Sequence, residues 1–196
     1  MKKNAIISGI TGQDGPYIAK LLLEKEYKDY GIQPKHLHTN IENLKYLGLE
    51  NSIELLPGDI TDENFLYRLI HTIKPNEFYN LAGQSLVPES WDLSKLTTDI
   101  NGIGTLNILN AIRYNHQITR FYQACSSEMF GISKSLKQNE QTPFKPTSPY
   151  ATSKLYAYWT TINYRDRYNL FACNGILFNH ESPIRSKKFV TRKVTD

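Results

Sequence analysis

Tyr150 and Lys154 stand four residues apart in a stretch that opens Ser148-Pro149. The serine can cap a helix and the proline can take its first position, so both side chains fall on one helix face. A phenol is a poor base at its ordinary pKa of about 10, but an ammonium beside it favours the phenolate. A tyrosine tuned in this way can take the proton of an alcohol while hydride leaves the same carbon. Upstream, Ala124-Cys125-Ser126-Ser127-Glu128 supplies a hydroxyl and a carboxylate. Ser126 can hydrogen-bond the reacting hydroxyl beside Tyr150. Glu128 can remove a carbon-bound proton next to a new ketone, or it can be an exposed loop acid. The remaining feature is Gly9-Ile10-Thr11-Gly12-Gln13-Asp14-Gly15. Gly9 permits a tight turn, Gly12 lets backbone amides approach a pyrophosphate, and Gly15 lets the next helix pack on the sheet. The unpaired amides opening that helix then face the phosphates.

These groups need a scaffold, and the apolar pattern describes one. Strands are expected at 4–8, 29–33, 53–56, 77–81, 120–124 and 171–178, the last of them buried. Helical spacing falls between them at 16–24, 41–47, 61–73, 93–114 and 148–167, with Thr61 offering a cap for the third. Such alternation implies an α/β protein, a doubly wound parallel sheet of Rossmann type covered on both faces. Ligands then sit at the carboxyl ends of the strands, which gathers the loops after residues 8, 33, 56, 81, 124 and 178 around one crevice.

Other residues leave alternatives open. The loop Gln33-Pro34-Lys35-His36 carries no carboxylate for an adenosine ribose. Lys35 suits a 2′-phosphate, and equally a solvated loop. Asp59 can accept from an adenine amino group or cap the following helix. His36 and His38 lack a partner cluster and read as solvated, so no metal is expected. His71 and His116 read as surface, whereas His180 follows the last strand and should face the crevice. Tyr156, Tyr158 and Tyr164 suit packing or helix–helix association.

The chain has 196 residues, 40% of them apolar and 21% charged, enough for a real core. No apolar run reaches the ~18–20 residues of a membrane span. The basic pair Lys2-Lys3 is followed by an apolar stretch broken at Ser8, Gly9 and Thr11, unlike a secretory signal. Cys125 and Cys173 show no Cys-x-x-Cys spacing, which argues against disulfides or structural zinc and for a reducing, cytoplasmic setting. The net charge of +4 is mild, with Lys187, Lys188, Arg192 and Lys193 crowding one end. The 13 tyrosines do not interleave with a basic face, so nucleic acid is not an expected partner and a small anion is.

Four stretches together resemble the GDP-mannose 4,6-dehydratase family of extended short-chain dehydrogenases/reductases. They are Gly9–Gly15, Ser126-Ser-Glu128, Ser148 to Trp159, and Gly175 to Pro183, with Phe189-Val-Thr-Arg-Lys193 extending the likeness. The last stretches separate this family from epimerases and from dehydratases of other nucleotide sugars. The resemblance implies a redox-neutral dehydration of GDP-mannose to GDP-4-keto-6-deoxymannose with tightly held NADP, in a homo-oligomer. Tyr150 would take the O4 proton, assisted by Lys154 and Ser126, and Glu128 would remove the C5 proton and help the C6 hydroxyl depart. Cofactor contacts implied by the matching are Gly9, Ile10, Thr11, Gly12, Gln13, Asp14, Gly15, Asp59, Ile60, Leu81, Ala82, Gly83, Gln84, Ser85, Tyr150, Lys154, His180 and Arg185. Substrate contacts implied are Ser85, Ser126, Glu128, Tyr150, Asn179 and Lys193. Residues 1–178 would form the dinucleotide-binding domain, and 179–196 the start of a substrate-binding part that lies mostly outside this chain. The chain departs from the family in several places: Pro34-Lys35 replace paired arginines, Leu96 a tyrosine, Leu86 a histidine, Ile184 an arginine, and Ser126 a threonine. A catalytically incomplete module that associates with a complete subunit is the alternative reading.

Overall fold

In the computed structural model, residues 2–34, 41–133 and 137–195 are described. Lys35, His36 and His38 lie outside them. Six strands, β1 (Asn4–Ser8), β2 (Lys28–Gln33), β3 (Glu54–Pro57), β4 (Glu77–Asn80), β5 (Arg120–Ser126) and β6 (Ala172–Leu177), form one sheet in the order β3-β2-β1-β4-β5-β6. Every pairing is parallel. The order reverses at β1, so the chain builds outward first on one side and then on the other. A crevice opens at that switch point.

Alternation along β1 explains why both faces are covered. Ile6 joins Phe78, Phe121 and Ala172 in a layer packed by α3 (Glu63–Ile73), α6 (Gly104–Asn115) and α7 (Pro149–Tyr168). Ala5 and Ile7 face the other way, onto α1 (Asp14–Glu24) and α2 (Glu42–Tyr46). Burying a large aliphatic side chain contributes about 1.5–3 kcal/mol, and Ile6, Ile7, Phe78 and Phe121 are all essentially inaccessible. β6 differs from expectation. It is an edge strand, packed by α7 on one side, with Cys173 exposed and Leu177 half-buried on the other. An edge strand with one open face does not have the two-sided burial that an apolar run suggests.

Local chemistry sets the helix ends. Ser148 caps α7 by accepting from Ala151 N at 3.1 Å, with Pro149 opening the helix and Asn169 closing it at φ 53°. The cap of α3 is Asp62, whose Oδ1 accepts from Phe65 N at 3.0 Å, and not Thr61. Thr61 instead donates its hydroxyl to Asp59 Oδ1 at 2.8 Å, so Asp59 closes the turn before the helix and does not cap it.

The helix expected over 93–114 is present as a continuous run from Ser94 to Asn115, with one π-helical turn inside it. α4 (Glu89–Asp92) and α5 (Ser94–Thr98) are followed by one π-helical turn, Asp99–Ile103, and then by α6. Thr97, Asn101 and Thr105 form a fully buried polar stripe along this stretch. Asn101 lies inside the π turn and bonds to Gln84 of the loop beside the crevice, and such bulges often occur near functional sites. A seam continues into the sheet. Ser8 Oγ donates to Asn80 Oδ1 at 2.6 Å, and Asn80 Nδ2 donates to Gln123 Oε1 at 2.7 Å and to Thr105 Oγ1 at 3.2 Å. His116, read as surface, is half-buried with Nδ1 2.9 Å from Thr119 Oγ1. His71 is exposed.

Candidate active site

The loops at the carboxyl ends of the strands enclose a crevice of about 1560 Å³. Its floor is the glycine loop. Gly9 has φ 70°, and a Cβ there would meet the backbone of Leu81 and Ala82 at 2.8 Å. A Cβ at Gly15 would lie 2.7 Å from Gly9 O and Ile10 Cα. Both positions therefore require glycine, one for its torsion and for the approach of the β4 loop, the other for the closeness of α1. Gly12 N donates to Gly9 O at 3.0 Å, which closes the turn and leaves the first amides of α1 at the crevice.

The wall opposite is built by β5 and α7. Tyr150 and Lys154 lie one helical turn apart, both buried in α7 and both facing the crevice. Lys154 Nζ donates to Ala124 O at 2.8 Å and stands 5.9 Å from the Tyr150 ring centroid. A fixed hydrogen bond holds that ammonium on the same crevice wall as the phenol. Ser126 ends β5 and accepts from Glu128 N at 3.2 Å, so one turn of 3₁₀-helix, Ser127–Phe130, carries Glu128 to the crevice wall. Cys125 also reaches the wall, but burial pushes its thiol up to about 12, which disfavours the nucleophilic thiolate.

The third side is the loop 81–85. Asn101 Oδ1 accepts from Gln84 N at 3.0 Å while its Nδ2 donates to Gln84 O at 3.2 Å and to Ser153 Oγ at 3.1 Å. One carboxamide thus fixes both backbone groups of Gln84 and ties that loop to α7. Sequence reading missed Asn101 and Ser153. The available signal was a polar residue every fourth position, 97, 101 and 105, which share one helix face.

The loop after β6 closes the rim. His180 Nε2 lies 2.8 Å from Asp14 Oδ1 and its Nδ1 lies 2.8 Å from Phe178 O. The Phe178 carbonyl first, and Asp14 second, raise the imidazole above its usual value, against the lowering effects of burial and Arg185. Arg185 Nη1 donates to His180 O at 2.7 Å and its guanidinium stacks 3.9 Å over Phe189. Around this crevice stand Gly9, Thr11, Gly12, Gln13, Asp14, Gly15, Asp59, Ile60, Leu81, Ala82, Gly83, Gln84, Ser85, Ser126, Glu128, Tyr150, Lys154, Asn179, His180 and Arg185. Two expected site residues do not. Ile10 is wholly buried against Gly31, so only its backbone belongs to the loop. Lys193 lies exposed on α8 (Val190–Thr195) and is not part of the crevice wall, whereas Arg192 is. Among the described residues no cluster of three metal-ligating side chains occurs, and no helix is long and apolar enough to cross a membrane.

A parallel sheet in this strand order, with a glycine turn facing a helix-borne tyrosine and lysine, defines a Rossmann-type fold of the short-chain dehydrogenase/reductase kind. Solved structures agree on the fold. DesIV of Streptomyces venezuelae, a dTDP-glucose 4,6-dehydratase crystallised with NAD and TYD, superposes with a TM-score of 0.84 at 22% identity, over 97% of this chain and 60% of that one. UDP-glucose 4-epimerase of Brucella ovis, solved with NAD, gives 0.76 at 23% identity, over 86% and 49%. Sequence narrows the assignment. The family model for GDP-mannose 4,6-dehydratase matches residues 6–196, and the chain belongs to that family. The GDP-mannose 4,6-dehydratase of Yersinia enterocolitica is 48% identical over 98% of this chain and 54% of its own length. The human protein is 47% identical over 97% and 54%. The chain therefore spans about half the length of the curated relatives it matches.

Proposed function

We propose that this chain is the cofactor-binding and catalytic half of a GDP-mannose 4,6-dehydratase acting with NADP. One observation carries the reading: Ser126, Glu128, Tyr150 and Lys154 face the same crevice as a glycine turn whose backbone excludes any side chain at Gly9 or Gly15. The residues fit a dinucleotide. A Cβ at Gly83 would meet Asn101 Oδ1 at 3.0 Å, so glycine there lets the crevice loop 81–85 pack against the carboxamide that ties it to α7.

A dinucleotide held on this loop would supply the hydride chemistry, oxidation at C4 of the hexose and reduction at C6. The protein's part is proton transfer and orientation. Tyr150 removes the O4 proton, with Lys154 stabilising the charge that develops on the phenol and Ser126 holding the hydroxyl in line. The resulting 4-ketone acidifies C5–H. Glu128 takes that proton and delivers it to the departing C6 hydroxyl, which leaves as water. The proton that Tyr150 took from O4 balances the reprotonation of C5 that completes the 4-keto-6-deoxy product. Asp59 retains an oxygen for the adenosine end, and NADP over NAD is part of the proposal, resting on the resemblance. Residues 179–196 would begin the substrate-binding part.

Sugar and cofactor must be held within tenths of an ångström for hydride transfer. A chain spanning half of its relatives is expected to bind GDP-mannose feebly by itself, which keeps open the reading of a module completed by another subunit. The test is titration of the purified chain with NADP and with NAD, followed by GDP-mannose, with and without the C-terminal half of the Yersinia relative. Dinucleotide binding with turnover only on complementation supports the proposal, and absence of dinucleotide binding overturns it. In the complemented form Tyr150→Phe should block oxidation, whereas Glu128→Gln should permit oxidation and stall elimination.

A further inference from the structure

We propose that Asn43 is a positioning residue that locks the glycine loop in its ligand-receiving shape. The proposal rests on reading that loop as a pyrophosphate site. Asn43 opens α2, about thirty residues from the loop in sequence. Its Nδ2 donates to Thr11 O at 3.0 Å and to Gly12 O at 2.9 Å. Only the nitrogen of a carboxamide can donate, so the two carbonyls fix which way the amide faces. In a trans peptide the N–H points opposite to the C=O. Holding the Gly12 carbonyl therefore sets the direction of the Gln13 N–H, among the amides that open α1. Holding the Thr11 carbonyl likewise sets the Gly12 N–H, which donates to Gly9 O at 3.0 Å.

The lock matters because glycine is at the pivot. Gly12 is exposed, and a Cβ there would meet only Gly9 O, at 3.2 Å. Its backbone has wide freedom to rotate. A rotated Gly12–Gln13 peptide would turn a carbonyl oxygen toward an anion in place of an N–H. Asn43 is thus to the first crevice loop what Asn101 is to the third. Each uses a carboxamide from a neighbouring helix to hold backbone that must present itself to a ligand.

The test uses the purified chain with Asn43→Ala and Asn43→Asp. Removing the lock lets competent and rotated loops interconvert, and apparent affinity falls with the competent fraction, by roughly tenfold. NADP and NAD should weaken equally, while adenosine, which has no phosphate, should bind as before. Asn43→Asp should weaken the dinucleotides at least as much, because a carboxylate has no N–H to donate and repels phosphate. Unchanged dinucleotide affinity, or an equal loss for adenosine, overturns the proposal. Hydrogen exchange of the ligand-free chain decides independently. The Gly12 amide should exchange about tenfold faster in Asn43→Ala while β1 and β4 amides keep their rates. Unchanged exchange at Gly12 overturns the lock. If the wild-type chain binds no dinucleotide, the proposed function fails, and the exchange result still decides the lock.

Discussion

Asp29 makes a quantitative prediction about pH and stability. It lies in β2 opposite Ala5, 1% exposed, and neither carboxyl oxygen has a hydrogen-bond partner. The nearby phenols cannot help it. Tyr27 and Tyr79 both donate to Glu77, at 2.8 and 2.5 Å. Burial therefore pushes the Asp29 carboxyl from 3.8 up to about 7. In the unfolded chain the proton is lost near the lower value, and in the folded chain near the higher one. Between them the folded state holds more protons, so stability falls as pH rises through this window. Below about pH 4 both states are protonated and no penalty exists. Above about pH 7 the full penalty applies, on the order of 4 kcal/mol at about 1.4 kcal/mol per pH unit.

Asp29→Asn removes the titration. The buried amide carries a cost of its own, but one independent of pH, so the slope is the quantity to compare. Urea unfolding from about pH 4 to about pH 8 should show the wild type losing on the order of 4 kcal/mol more than the variant across the window. Asp29 sits near the start of β2, away from the carboxyl ends that form the crevice, so dinucleotide affinity should not change. Equal slopes in the two proteins would refute the argument that this carboxyl is dry and unpartnered.

Other consequences are simpler to check. Gly15→Ala drives a Cβ into the backbone of Gly9 and Ile10 at 2.7 Å. It should cost about 1–3 kcal/mol in thermal or urea unfolding and abolish dinucleotide binding. Asn80→Val removes one buried hydrogen bond each from Ser8 Oγ and Gln123 Oε1, leaving Gln123 Oε1 with Thr105 and Ser8 Oγ with the long contact to Tyr79 O, and should destabilise by about 2 kcal/mol in urea. A thiol reagent should modify exposed Cys173 first and reach Cys125 only on unfolding, by mass spectrometry of partly labelled protein. His180 should titrate above its ordinary value by NMR, and lower in Asp14→Asn. Its raised folded pKa means the contact with Asp14 contributes stability fully below the unfolded value and loses it as pH rises through the folded one.

Residue type and spacing alone sufficed for the elements whose causes are local. The strand at Asn4–Ser8, the Ser148 cap with Pro149 behind it, the glycine turn and the one-turn spacing of Tyr150 and Lys154 all depend on neighbours within a few positions. So did the α/β class, because strand–helix alternation leaves a parallel sheet few other solutions. What depended on distant partners was not legible. The π turn inside the helix after Leu93 holds buried Asn101, which meets Gln84, 17 residues back, and Ser153, 52 ahead. The half-open edge at β6 depends on what packs beside it, and an apolar run carries no record of that. Ile10 looks like any loop residue until Gly31, on the next strand, makes room for it. Arg192 and Lys193 are adjacent cations, and only the docking of α8, with Arg192 Nη1 donating to Pro183 O at 3.1 Å, sets one on the crevice wall and leaves the other in solvent. Short-range torsional and capping preferences are written into the chain itself. The buried carboxamides, the dry carboxyl and the choice of which cation faces inward exist only once the tertiary structure removes water from around them.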